Sequence, residues 1–177
     1  VEQDLVGGLA WPARAGVVTQ SAQIRPRQAT DGRLPGMLDD MADLRIAIIS
    51  TGGTIEKTYD ELDQVLANRV NVLDVMLAQL ELGNVELVRV PLMNKDSREM
   101  TEADHQLIAE TARAMAASHD GVIIVHGTDR LAVTGEVTHA LVPEPRVPIV
   151  LTGAMRPYEL RHTDATQNLT EALLAAQ

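Results

Sequence analysis

Four short aliphatic runs recur from Leu44 onward: LRIAIIS, NVELVRVPL, the VIIV of DGVIIVHGTD and the PIVL of RVPIVLTGAM. Each is parted from the next by a stretch of helical length, too long for a hairpin, so neighbouring runs must pair in parallel. A parallel sheet needs cover on both faces. The stretches between the runs supply it. ANRVNVLDVMLAQLEL sets Leu73, Met76, Leu77 and Leu80 at helical spacing. TEADHQLIAETARAMAASH opens on a Thr-x-x-Asp capping pattern that makes Thr101 an N-cap, and it puts Leu107, Ile108, Thr111, Ala112 and Met115 on one face. RLAVTGEVTHALV is a weaker helix, and TDATQNLTEALLAAQ runs as a helix into the last residue. This alternation predicts a doubly wound α/β domain with a mostly parallel sheet and helices on both faces.

Residues 1–40 follow neither period; they mix Gly, Pro, Gln and Arg around the single Trp11 and read as an irregular, vector-derived or upstream extension. Met41 would then be the natural start, and residues 41–177 the domain. No phenylalanine is present and aromatics make up 2% of the chain, so Leu, Ile, Val, Met and Ala must fill the core. A net charge of −10 opposes nucleic acid and anionic membrane surfaces as partners. The absence of cysteine removes disulfides and thiolates and suits a cytoplasmic setting. No apolar run reaches the roughly 20 residues that a spanning helix requires.

In an open parallel sheet, ligands bind beyond the carboxyl ends of the strands. Every strand here ends in a polar cluster: STGGT, NKDSREM, HGTD and TGAMRP. Each alone is an ordinary turn or cap, but four on one rim make a site. In STGGT, Gly52 and Gly53 permit a sharp turn and leave main-chain N–H groups open. That loop has two further readings: a Ser/Thr/Gly turn that caps itself, or a phosphate loop of the flavodoxin type, although no Walker or dinucleotide spacing and no P-loop lysine accompany it. In HGTD, Thr128 and Asp129 place a hydroxyl beside a carboxylate, and a carboxylate suits a ligand ammonium better than a phosphate. His126 is a general base by residue type, yet it follows a buried run and reads more simply as hydrogen-bonded at the sheet edge. No spacing points to a metal.

Taken in order and spacing, IISTGGTIEK, VHGTD and VLTGAMRP followed by TDATQNL resemble the bacterial-type L-asparaginase/glutaminase family in its short-chain cytoplasmic form, over about residues 45–177. The resemblance implies the flavodoxin-like N-terminal domain of that family. It implies hydrolysis of the L-asparagine side-chain amide to aspartate and ammonia through a threonine acyl-enzyme, without a cofactor, and with L-glutamine as a related substrate. By the same resemblance Thr54 is the nucleophile. Thr128 orients the attacking group or water, and Asp129 is the acid that also holds the substrate amino group. Ser97 takes the α-carboxylate, Gly53 and Gly127 line the substrate, Tyr59 matches the flexible-loop tyrosine, and Asp164 is structural. A threonine hydroxyl needs a base and oxyanion donors to act as a nucleophile, and a Gly-Gly turn after a rigid strand supplies open N–H groups and fixes the hydroxyl.

The chain departs from the family pattern in three places. Arg130 stands where the family has a second threonine after the Asp, bringing a cation beside Asp129. Arg98 stands where long members carry Gln. The family lysine belongs to a strand past the last matching helix, while the chain's lysines are Lys57 and Lys95, so Lys95 is the candidate substitute. The expectation is an asparaginase catalytic domain truncated before the C-terminal domain, forming homo-oligomers through apolar surface from Leu169 to Leu174. Two alternatives remain: an inactive or weakly active asparagine/aspartate-binding domain, and the ammonia-producing subunit of a tRNA-dependent amidotransferase.

Overall fold

The computed structural model describes residues 44–60, 65–67 and 72–177, without the side chains of residues 59, 60 and 65–67. The extension expected over residues 1–40, with Trp11 and the proposed start at Met41, lies outside the described residues. In chain order the elements are β1 (Leu44–Ser50), β2 (Thr58–Asp60), β3 (Val65–Ala67), α1 (Val72–Ala78), β4 (Val85–Pro91), α2 (Glu102–Ala116), β5 (Gly121–Val125), α3 (Leu131–Leu141), β6 (Ile149–Thr152) and α4 (Ala165–Ala175).

The expected sheet is present: β4, β1, β5 and β6 lie side by side in that order, every pair parallel. Strands β2 and β3 form a separate antiparallel pair. Alternate residues of the central strands face opposite layers, as the two-residue strand period requires. Ile46, Ile48, Ile123 and Val125 pack with Leu73 and Met76 of α1 and Leu169 and Leu173 of α4. Ala47, Ile49, Val122 and Ile124 pack with Ile108 and Ala112 of α2. Helix α3 lies against α2 and β6. Both faces are therefore covered, and each fully buried Ile or Leu contributes roughly 1.5–3 kcal/mol by leaving water.

Two expectations about helix faces are corrected. In α2 the buried residues are His105, Ile108, Ala109 and Ala112, whereas Leu107 is 45% exposed. The face is rotated toward His105 because that imidazole has a buried hydrogen-bond partner on α3, described below. In α4, Leu169 and Leu173 are sealed against the sheet, and only Leu174 of the expected apolar stripe is strongly exposed, at 67%. Thr101 is the N-cap of α2 as expected, in a complete capping box with Asp104. Among the described residues no helix is long and apolar enough to cross a membrane.

The register matters most for function. Ser50 pairs with Pro91 on one side and Val125 on the other, and Val125 pairs with Thr152. All four strands of the sheet thus end at one level, and their polar loops leave from a common rim. The connection leaving β1 runs to β4 on one side and the connection leaving β5 runs to β6 on the other, so the topological switch point lies between β1 and β5.

Candidate functional site

The switch point is occupied by STGGT from β1 and HGTD from β5. Thr51 fastens the first loop: its N–H and its Oγ1 both donate to the carbonyl of Val125, at 3.1 and 2.9 Å, while its own carbonyl accepts from Lys95 N at 3.0 Å. Gly52 and Gly53 follow with φ of 99° and 91°, the left-handed region that an L side chain rarely enters. The turn this allows brings backbones into contact. A Cβ on Gly53 would stand 2.6 Å from Gly127 N and Cα; one on Gly127, 2.6 Å from Ser97 Oγ; one on Gly153, 2.3 Å from His126 O. Four loops, after β1, β4, β5 and β6, meet through atoms that no side chain separates.

A shared local device presents the hydroxyls. Thr54, Ser97 and Thr128 each begin a single 3-10 turn, Thr54–Glu56, Ser97–Glu99 and Thr128–Arg130, directly beyond Gly53, Asp96 and Gly127. Thr54 is half-buried, and Thr128 and Asp129 are exposed. Ser97 is 1% exposed, and its Oγ has no hydrogen-bond partner. A buried hydroxyl without a partner is uncommon and calls for one. Tyr59 lies in β2, its backbone paired with Leu66; its side chain is not described.

The charges arrange themselves around Asp96. Its side chain caps the Ser97 turn by accepting Arg98 N at 3.0 Å, and also takes Arg98 Nε at 3.0 Å, Nη2 at 2.9 Å and Lys57 Nζ at 3.4 Å. The Arg98 hydrogen bonds hold this carboxyl well below the usual carboxylate range. Arg98 is itself pushed up, by Asp96 first and with a contribution from the charge of Asp129. Arg130, the cation expected beside Asp129, sends Nη1 to the carbonyl of Met100 at 3.0 Å. Lys95 Nζ donates to both oxygens of Asp104, at 2.7 and 2.8 Å. The hydrogen bonds from Lys95 and Thr101 hold Asp104 down to about 2. Asp164 accepts the amides of Met155 and Arg156, both at 2.9 Å, so it ties the loop after β6 to the start of α4.

His126 is fully buried with both ring nitrogens engaged, which agrees with the hydrogen-bonded reading of this residue and not with a free base. Two features of the rim escaped the sequence. The cap at Asp96 had a signal, an Asp two residues before an Arg at the start of a turn. The partnership of His126 with Thr134 and His105 had none.

Beneath the loop, Ser50 Oγ donates to Glu56 Oε1 at 2.5 Å, and Glu56 is 8% exposed. Burial raises the Glu56 pKa above the ordinary value, against the pull of Ser50 and the charge of Arg89. A carboxyl raised on folding binds more protons in the folded state just above its ordinary pKa, so its contribution to stability falls as pH rises through that window. Glu56→Gln keeps an acceptor for Ser50 and removes the charge. The variant is expected to melt higher than the parent at pH 7.5, with the difference closing toward pH 4.5. A lower midpoint at pH 7.5 would contradict this account.

A doubly wound α/β domain whose hydroxyl-bearing loops meet at the switch point is the class that fold and site define. The family model described as "Asparaginase, N-terminal" matches residues 45–177, and the chain belongs to the asparaginase family. It is 30% identical over 135 residues to the L-asparaginase of Thermococcus kodakarensis, covering 76% of this chain and 41% of that protein. The solved structure of the thermostable L-asparaginase from that organism superposes with a TM-score of 0.66 at 28% identity, covering 76% of this chain and 41% of the other. L-asparaginase I of Vibrio cholerae superposes with a TM-score of 0.61 at 27% identity, covering 77% and 42%. A glutamyl-tRNA(Gln) amidotransferase subunit of Methanobrevibacter smithii is 33% identical over 140 residues, covering 78% of this chain and 32% of that protein. The chain spans well under half the length of these relatives.

Proposed function

We propose that the chain carries the nucleophile-bearing part of an amidohydrolase acting on L-asparagine. The Thr54 oxygen bonds to the side-chain amide carbon, the C–N bond breaks, and the hydroxyl proton ends on the departing ammonia. Water then cleaves the aspartyl ester, releasing aspartate and restoring the hydroxyl. Thr128 orients the attacking group, Asp129 takes the substrate ammonium, and the N–H groups around Gly53 and Gly127 face the substrate. Tyr59 takes the part of the family's flexible-loop tyrosine. Lys95 donates to both carboxylate oxygens of Asp104, and in this reading it fastens the loop of Ser97 to α2.

The observation that carries the proposal is the orphaned Ser97 hydroxyl, buried against Gly127 at the start of the Thr128 loop. The substrate α-carboxylate supplies the missing partner. The similarity to an amidotransferase component supports a second reading, in which the same rim releases ammonia for a partner enzyme.

Ammonia release from L-asparagine and L-glutamine, with calorimetry of L-aspartate binding, tests both. Release from free L-asparagine is the expected result. Release seen only with an amidotransferase partner selects the second reading. The absence of both ammonia release and aspartate binding in the folded protein overturns the proposal.

A further inference from the structure

Behind the loop of Thr128 runs a buried polar chain that the proposed reaction does not use. His126 Nδ1 lies 2.7 Å from the carbonyl oxygen of Gly127, and Nε2 lies 2.8 Å from Thr134 Oγ1. The same Oγ1 lies 2.7 Å from His105 Nδ1. His126 comes directly after β5, Thr134 is on α3 and His105 on α2. The two rings stack at 6.2 Å with 21° between their planes. None of the three residues is more than 2% exposed.

The order of protons follows from one end. A carbonyl only accepts, so His126 Nδ1 carries hydrogen. Burial lowers the His126 pKa, against the pull of the Gly127 carbonyl and with a smaller push from His105, and in the neutral ring Nε2 is bare. Thr134 must donate to it, which leaves Thr134 Oγ1 to accept from His105 Nδ1–H. His105 is lowered by burial first and then by the charge of Arg130, against the pull of Asp104, and its Nε2 is left buried and without a partner. A neutral chain anchored on one carbonyl has a single arrangement of protons. Arg130, Asp104 and the histidines themselves are the charged or titratable groups that act on it.

Gly127 is where this chain meets the rim. Its backbone touches Gly53 and Ser97, and Thr128 and Asp129 follow it. A trans peptide is planar, so pinning the Gly127 carbonyl toward His126 turns the Thr128 N–H the opposite way and fixes where the 3-10 turn of Thr128 begins. We propose that His126, Thr134 and His105 are positioning residues for the Gly127–Asp129 segment: helices α2 and α3 set the rim through this relay. As an account of turnover, the inference rests on the reading of Thr128 and Asp129 given above.

The test compares Thr134→Val, which keeps the shape and removes both hydrogen bonds, with Thr134→Ser, which keeps the hydroxyl. The Val variant is expected to lose about 10²-fold in kcat with a much smaller change in KM, as small misplacements of reacting groups do, and the Ser variant to recover most of it. His105→Gln serves if the Val variant does not fold, with a smaller loss in the same direction. Nitrogen-15 NMR of the imidazoles and hydrogen exchange of the Thr128 amide require no turnover. The parent protein should show Nδ1–H tautomers at both histidines, and the Val variant a changed tautomer at His126 and a Thr128 amide that exchanges faster than in the parent. Folded variants with unchanged kinetics, or with unchanged tautomers and exchange, overturn the relay. A parent with no turnover but the expected NMR response removes the proposed reaction and leaves the relay standing.

Discussion

Thr54→Ala is expected to abolish amide hydrolysis, with a loss on the order of 10⁴-fold or more in kcat, because the covalent route ends with its nucleophile. Thr128 aside, the hydroxyls of the neighbouring loops are not placed to replace it. Thr51 Oγ1 is spent on the Val125 carbonyl, Ser50 on Glu56, and Ser97 is buried. Thr54 is held half-open at the start of its 3-10 turn by two glycines in conformations that only they adopt easily. The variant should still bind L-aspartate, since Ser97 and Asp129 are untouched, and Thr54→Ser should keep part of the activity. Ammonia release and calorimetry on the same preparations separate the two effects. Near-parental turnover in Thr54→Ala, with loss in Thr128→Ala, would move the nucleophile to Thr128.

The residues that made this site legible are those whose local chemistry admits few structures. IAII and VIIV at the sheet centre have no other home than a doubly covered parallel strand, and Gly52 and Gly53 announce a backbone that other residues rarely adopt. Thr101 and Asp104 carry their cap within four residues. What failed depended on partners distant in the chain. Leu107 fits a helical apolar stripe as well as His105 does by spacing, but His105 is drawn inward by a threonine 29 residues later. Arg130 sits next to Asp129 in sequence, yet its guanidinium turns to the Met100 carbonyl, and Arg98 on another loop brings its charge to Asp129. Periodicity reports which element forms; it cannot report which of two candidate faces finds a hydrogen-bond partner.

Gly53→Ala should be the most damaging change to the rim that leaves every catalytic side chain in place. Two penalties act together. With φ at 91° and ψ at 179°, Gly53 occupies a region essentially closed to residues with a Cβ, at a cost of about 1–3 kcal/mol. The added carbon would also stand 2.6 Å from the N and Cα of Gly127, backbone atoms that cannot rotate aside. The loops of Thr54 and Thr128 must separate, so turnover should fall with stability, and urea denaturation should show a loss of roughly 2–4 kcal/mol. Gly127→Ala divides the two causes. Gly127 has φ of −71° and ψ of 139°, ordinary extended backbone, so its substitution carries no conformational strain and meets Ser97 Oγ, Cβ and N, at 2.6, 2.8 and 3.3 Å. It should cost less stability than Gly53→Ala yet weaken L-aspartate binding more than it slows the chemical step, because it displaces the hydroxyl assigned to the α-carboxylate. Equal stability losses in the two variants would show that crowding between the loops, and not the turn conformation, sets the placement of Thr54.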